Sequence, residues 1–175
     1  MSVEGRLRVT LDVDGSGTAN VETGLPVLDH LLELLAEHAS FDLALVVAPA
    51  AGDAEVGGAG RALGEELAGP LSAEGVRGHG SAVVPADDAL AHISLEVSGR
   101  PLVVSNVDLS TERVGGLGSD LLARFLHELA EGAGLTLHVR LLHGEDARHV
   151  LEAIFKALGV ALAQAARPRP RKEKR

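Results

Sequence analysis

The sequence contains no cysteine, no tryptophan and no tyrosine, and only three of its 175 residues are phenylalanine. The absence of cysteine excludes a disulfide scaffold, a thiolate zinc site and a cysteine nucleophile. Aromatic side chains are the usual platform for stacking nucleic-acid bases, so their scarcity argues against an ordinary RNA-binding or single-strand-binding module. The chain has no run of about 18 apolar residues, and its first residues do not resemble a signal peptide. We therefore expect a cytoplasmic protein that does not associate with membranes.

Positive charge is scarce over most of the chain, although the formal net charge is only −9. The last nine residues, RPRPRKEKR, hold six basic side chains and one acidic side chain, whereas residues 1–166 hold 10 basic and 24 acidic ones. An acidic body disfavours binding to phosphate backbones, so a nucleic-acid partner is not expected. A short basic run interrupted by proline is typical of a solvated terminus, and residues 167–175 are predicted to form a disordered tail.

Hydrophobic periodicity alternates between the strand and helix patterns along the chain. Four glycines between residues 52 and 60 predict a flexible connection. The predicted strands cover residues 7–13, 41–48, 92–97, 102–107 and 135–142, and the predicted helices cover 26–38, 61–68, 119–131 and 145–166.

Two stretches of the sequence resemble each other at nearly constant spacing. HLLELLAEHASFDLALV, beginning at His30, aligns with RFLHELAEGAGLTLHVR, beginning at Arg124, at an offset of 94. RALGEELA, beginning at Arg61, aligns with KALGVALA, beginning at Lys156, at an offset of 95. Shared Leu and Ala composition is the alternative explanation, but two nearly equal offsets favour an internal duplication.

The duplication predicts the fold class. We expect an α+β protein built from duplicated β-α-β half-domains, each a small sheet packed against two helices. Residues 1–166 would form one domain, with halves at about 1–80 and 81–166, followed by the tail.

The last predicted helix carries the strongest candidate for chemistry. His149 and Glu152 are three residues apart, so both project from one helix face and can share a divalent metal. Lys156 follows one turn later. The alternative is an exposed Glu–Lys pair beside an ordinary histidine.

Several strings in order resemble the imidazoleglycerol-phosphate dehydratase family. They are GLPVLDHLLELLAEH from Gly24, RALGEEL from Arg61, DDALAHISLEVSGRP from Asp87 and HVLEAIFKAL from His149. The resemblance covers about residues 4–166. It implies the duplicated fold predicted above, and a hydro-lyase that dehydrates imidazoleglycerol phosphate to imidazole-acetol phosphate in histidine biosynthesis. It also implies homo-oligomers, either trimers or larger shells.

The resemblance implies a manganese centre and exposes a difference from the family. Family members hold two manganese ions through a histidine on the first helix of each half and a His-His-x-x-Glu motif at the second helix. Ligand types remain in this sequence at His30, His149 and Glu152. The substituted ligand positions are Asp53, Ala54, Gly57, Arg124 and Arg148.

Other family positions are matched. The resemblance assigns catalytic roles to Glu4 and Lys156, and substrate-phosphate binding to Arg77 and Arg100. The family's C-terminal Ser-x-Lys-Gly loop, which also holds phosphate, is replaced by the basic tail.

The substitutions lead to three functional hypotheses. Arginine stays protonated and cannot ligate a metal, so we expect no metal or one residual metal on His30, His149 and Glu152. The first hypothesis is a weakly active or non-catalytic dehydratase homologue. The second is an active lyase with a remodelled site, in which Arg124 and Arg148 act on a related phosphorylated small molecule. The third is a structural or regulatory partner of a true dehydratase.

Overall fold

The computed structural model describes residues 7–48, 53–108, 113–114 and 117–171; within these ranges, the side chains of 53–56, 113–114 and 117–120 are not described. The helices are α1 (Pro26–Ala39), α2 (Asp53–Ser72), α3 (Ser119–Ala133) and α4 (Ala147–Ala166). The strands are β1 (Leu7–Asp12), β2 (Ala19–Glu22), β3 (Asp42–Val47), β4 (His79–Ala86), β5 (Ala89–Val97), β6 (Leu102–Ser105), β7 (Arg113–Val114), β8 (Leu117–Gly118) and β9 (Leu135–His143).

The two main sheets repeat one topology. The first has the order β1-β3-β2, and the second has β4-β5-β9-β6. In the first sheet, β3 pairs antiparallel with β1 and parallel with β2; in the second, β9 pairs antiparallel with β5 and parallel with β6. Leu43 of β3 lies opposite Leu11 and Ala19, and Leu137 of β9, 94 residues later, lies opposite Leu95 and Val103. The registers on both sides of β3 and β9 therefore match at the predicted offset of 94. The predicted duplication and α+β fold are confirmed.

The helices join the two halves. Helices α1 and α2 pack against the first sheet, α3 and α4 pack against the second, and the closest helix pairs are α1 with α4 and α2 with α3. Apolar side chains on the inner faces of the sheets and helices form one core in the described part of the chain. Burial of these aliphatic surfaces is the main favourable term in a protein with so few aromatics.

Residues 53–60 of the glycine-rich stretch are helical, and the prediction of a flexible connection there is wrong. Helix α2 begins at Asp53, so Gly57, Gly58 and Gly60 lie inside it. A side chain on Gly60 would meet the carbonyl oxygen of Phe125 at 2.5 Å. Glycine is required at this position because α2 and α3 approach each other at backbone distance, and tertiary packing outweighs its low helix propensity.

Four strands, β2, β4, β7 and β8, and one connection were not predicted from the sequence. Strand β2 is short, and β4 is an edge strand that packs on α4. The C-terminal segment continues this edge through an isolated antiparallel bridge between Val76 and Pro168. Helix α4 has the length and composition of a membrane span, but 61% of its most apolar window is buried, as in the core helix of a globular domain.

Candidate functional site

The best-formed predicted pair joins α1 to α4. Nε2 of His30 lies 3.3 Å from Oε1 of Glu152, whose side chain is 17% exposed. Both residues lie in the first two turns of their helices, and these turns are side by side. Nε of Arg148 donates to the same oxygen at 3.4 Å from one turn earlier on α4. The glutamate is therefore shared between a histidine and a fixed positive charge.

The corresponding place between α2 and α3 holds different residue types. Arg124 on α3 corresponds to His30, and Gly57 on α2 corresponds to Glu152, by the offsets of the repeat. A Cβ atom on Gly57 would lie 2.8 Å from Nε of Arg124, so the two residues are in direct contact. Glycine offers no side-chain ligand, and the guanidinium group only donates hydrogen bonds.

His149 is held by aspartates at the start of α4. Its Nδ1 lies 2.7 Å from Oδ1 of Asp88, and its Nε2 lies 3.4 Å from Oδ2 of Asp87. Asp146 caps α4 by accepting from the backbone N–H of His149 at 3.1 Å. The structure thus brings His30 and Glu152 together, whereas both ring nitrogens of His149 contact aspartates in the turn between β4 and β5.

The aspartates change how His149 titrates. The hydrogen bond that His149 donates to Asp88 raises the pKa of His149 above its ordinary value of 6.5. Reciprocally, the hydrogen bond from His149, followed by that from the backbone N–H of Glu145, lowers the pKa of Asp88 below 3.8. The charged pair ties the β4–β5 turn to the first turn of α4.

The pair predicts a pH-dependent stability difference between the wild type and the His149→Gln variant. Because its pKa is raised, His149 contributes to the free energy of unfolding in full below pH 6.5, and this contribution is lost as pH rises through the raised pKa. Because its pKa is lowered, Asp88 contributes to the free energy of unfolding in full above pH 3.8, and this contribution is lost as pH falls through the lowered pKa. In urea unfolding, the difference in free energy of unfolding between the wild type and His149→Gln should therefore be largest between pH 3.8 and 6.5. In an Asp88→Asn background the difference should become flatter; an unchanged profile would contradict the pairing.

The predicted phosphate-binding arginines lie at one end of the second sheet. The backbone N–H of Arg77 donates to the carbonyl of Arg167 at 2.8 Å, and the next residue, Gly78, accepts from Val97 at 2.8 Å. Arg100 follows three residues after Val97, in the turn that joins β5 to β6. Arg77 is half-buried and Arg100 is exposed.

A polar depression adjoins this end of the sheet. It has a volume of about 370 Å³ and lies on the outer face of β4, β5 and β9. Thr136, one of its lining residues, donates from Oγ1 to the carbonyl oxygen of Arg100 at 3.1 Å. The other lining residues include His79, Ser81, Ser94, Glu96 and His138. This arrangement places hydroxyl and imidazole groups beside the predicted phosphate-binding turn.

The remaining predicted residues lie on α4, in the first turn of α2 or outside the described residues. Lys156 is half-buried on α4, one turn beyond Glu152. Asp53 and Ala54 form the first turn of α2, but their side chains are not described, and Glu4 lies outside the described residues. Asp87 and Asp88 were missed as partners of His149 because they are distant in sequence; only their position in a turn between two strands marked them.

The fold and this geometry define a class of protein: a duplicated α+β chain with two related sites where helices from opposite halves meet. The model of the imidazoleglycerol-phosphate dehydratase family matches residues 23–162. The chain belongs to that family.

Relatives and solved structures agree with this assignment. The chain is 39% identical to the imidazoleglycerol-phosphate dehydratase of Pelobacter propionicus, over 97% of this chain and 89% of the relative. It is 42% identical to that of Syntrophobacter fumaroxidans, over 94% and 85%. The crystal structure of the Pyrococcus furiosus enzyme in complex with (S)-C348 has a TM-score of 0.82 and 31% identity, over 96% of this chain and 92% of that one. The Staphylococcus aureus enzyme gives a TM-score of 0.81 and 30% identity, over 93% and 94%.

Proposed function

We propose that this protein is a weakly active or non-catalytic homologue of imidazoleglycerol-phosphate dehydratase whose two-manganese centre has degenerated. The observation that carries the proposal is the contact between Arg124 and Gly57 at one of the two related sites. In the family, these positions supply a histidine and a glutamate to the metal centre.

The residues at this site do not fit a divalent cation. Gly57 has no side chain, and Arg124 is permanently charged and has no lone pair to donate. At about 4 Å and an effective dielectric constant of about 20, the repulsion between a guanidinium and a divalent ion is roughly 8 kcal/mol before relaxation and solvent screening.

The α1–α4 site retains part of the family's ligand set. His30 and Glu152 are in contact, while Arg148 donates to the oxygen of Glu152 that faces His30. His149 would have to leave Asp88 to join them. We propose that at most one metal binds here, on His30, His149 and Glu152.

Binding of a phosphorylated small molecule can survive the loss of metal. Arg77 and Arg100 lie at one end of the second sheet, beside the polar depression. Guanidinium groups match phosphate oxygens in geometry and charge. We propose that these arginines keep the phosphate-binding role and that the chain forms a homo-oligomer, a trimer or larger.

A second candidate function is an active lyase with a remodelled site. The contact between His30 and Glu152 favours it, because a carboxylate that orients an imidazole is a common general-base arrangement. Arg124 and Arg148 would then stabilise negative charge on a related phosphorylated substrate.

Turnover of imidazoleglycerol phosphate tests the first proposal. We would measure kcat/KM with Mn²⁺ for this protein and for the Pyrococcus furiosus enzyme under the same conditions. A Lewis-acid contribution of several kcal/mol corresponds to a deficit of about 10³-fold or more. Comparable Mn²⁺-dependent values for the two proteins would overturn the proposal. Metal-independent turnover that is lost in His30→Gln would support the second candidate instead.

A further inference from the structure

The internal repeat shows which contact of the α1–α4 pair corresponds to the Arg124–Gly57 contact of the α2–α3 pair. A side chain on Gly64 of α2 would overlap the carbonyl of Leu129 on α3, and one on Gly159 of α4 would overlap the carbonyl of Leu35 on α1. These two contacts are equivalent by the offsets of 94 and 95. The two helix pairs therefore cross in the same way, and the Arg124–Gly57 contact is the structural counterpart of the His30–Glu152 contact.

Arg124 and Gly57 are complementary in shape. A Cβ on Gly57 would lie 2.8 Å from Nε of Arg124, 3.0 Å from its Cδ and 3.4 Å from its Cγ. Gly57 is itself buried. The arginine side chain thus fills the space that a side chain at position 57 would need, which is the space that Glu152 uses at the related site.

The guanidinium has no internal counter-charge among the described side chains. No carboxylate of the described residues lies within 4.0 Å of Arg124. Glu128, one turn further along α3, is paired instead with Arg61 at 3.2 Å. Arg124 is solvent-exposed, so an external ligand can reach it.

We propose that the α2–α3 site has exchanged cation recognition for oxyanion recognition, with Arg124 as the binding residue and Gly57 as the residue that makes room for it. The planar guanidinium pairs with carboxylate or phosphate oxygens through two parallel N–H donors. This inference rests on the proposed loss of the metal centre and names the chemical class that replaces the metal.

Thermal unfolding with inorganic phosphate or acetate as the probe tests the inference. An Arg77→Gln/Arg100→Gln background removes the other predicted phosphate-binding arginines. In this background we expect at least one of the two anions to raise Tm, and we expect Arg124→Gln to abolish most of that rise. Gly57→Glu should abolish it as well, because the new carboxylate would occupy the guanidinium. If Gly57→Glu does not fold, Arg124→Gln alone still tests the inference.

Arg140 supplies the matched control. It is an exposed arginine on β9 with no ion pair among the described residues. Arg140→Gln should keep the response to the anion. A response that persists in Arg124→Gln, or that Arg140→Gln abolishes equally, would overturn the inference, as would the absence of any response to either anion. None of these outcomes depends on turnover, so the inference can fail while the proposed function stands; Mn²⁺-dependent turnover would overturn the proposed function instead.

Discussion

Replacement of Gly159 by alanine is expected to destabilise the protein by about 1–3 kcal/mol or more, and replacement of Gly64 should have a similar effect. A Cβ on Gly159 would overlap the carbonyl of Leu35 and lie 3.2 Å from the backbone nitrogen of Ala39. A Cβ on Gly64 would overlap the carbonyl of Leu129 and lie 2.9 Å from the nitrogen of Ala133. Backbone atoms cannot move aside as a flexible side chain can, so each substitution must push a helix pair apart.

Gly58 provides the control within the same protein. It lies in α2, but no atom is within 4 Å of the position its Cβ would take. Gly58→Ala should stabilise the protein by about 0.5–1 kcal/mol, because alanine is the better helix former. For a chain of this size, 1 kcal/mol corresponds to a change in Tm of about 2–4 °C. Equal effects at Gly58 and Gly159 in chemical denaturation would contradict the close approach of the helices.

Replacement of Arg148 by histidine is expected to strengthen Mn²⁺ binding about 100-fold or more. The substitution removes the guanidinium that lies 3.4 Å from Oε1 of Glu152 and adds an imidazole next to His149. A fixed positive charge near a divalent cation opposes binding by several kcal/mol, and screening at this half-exposed site reduces but does not cancel that penalty. The Mn²⁺-dependent rise in Tm measures the gain, because a ligand that binds only the native state stabilises it by mass action.

Arg148→Gln separates the effect of removing the charge from the effect of adding a ligand. It removes the charge without adding a ligand, so its gain in Mn²⁺ affinity should be smaller than that of Arg148→His. His30→Gln in the Arg148→His background should remove most of the gain, because Nε2 of His30 faces the same carboxylate oxygen. If Mn²⁺ stabilises Arg148→His no more than the wild type, Arg148 does not limit metal binding.

The duplication shows how much of the fold the sequence could predict. The offset of 94 taken from His30 and Arg124 is also the offset between β3 and β9 in the paired registers. The agreement was possible because both strands follow directly after helices with the same apolar pattern. The boundaries of α1 were also predicted closely, since Pro26 suits a first helical turn. Helix α4 was predicted from residue 145 but begins at Ala147, because Asp146 is its N-cap.

The errors have identifiable physical causes. The glycines of α2 indicated a loop because local propensity says nothing about a second helix at backbone distance. Strand β2 was missed because four residues are too few to show an alternating pattern. At the candidate site, helical spacing predicted that His149 and Glu152 share a face, but the aspartates that engage His149 lie in a turn about 60 residues earlier.

The contact between His30 and Glu152 was accessible from the sequence only through the family resemblance, because their helices belong to different halves. The contact between Arg124 and Gly57 follows from the same alignment once the helix pairing is known. The shape complementarity of that contact required coordinates, since neither residue type predicts the other.

Metal content per chain is the most direct test of this account. The protein would be purified with Mn²⁺ supplied and without a chelator, and manganese would be counted by mass spectrometry against protein concentration. We expect at most one manganese ion per chain, bound at the site of His30 and Glu152, and none at Arg124. About two ions per chain would contradict it, because Arg124 and Gly57 would then have to belong to a working metal centre.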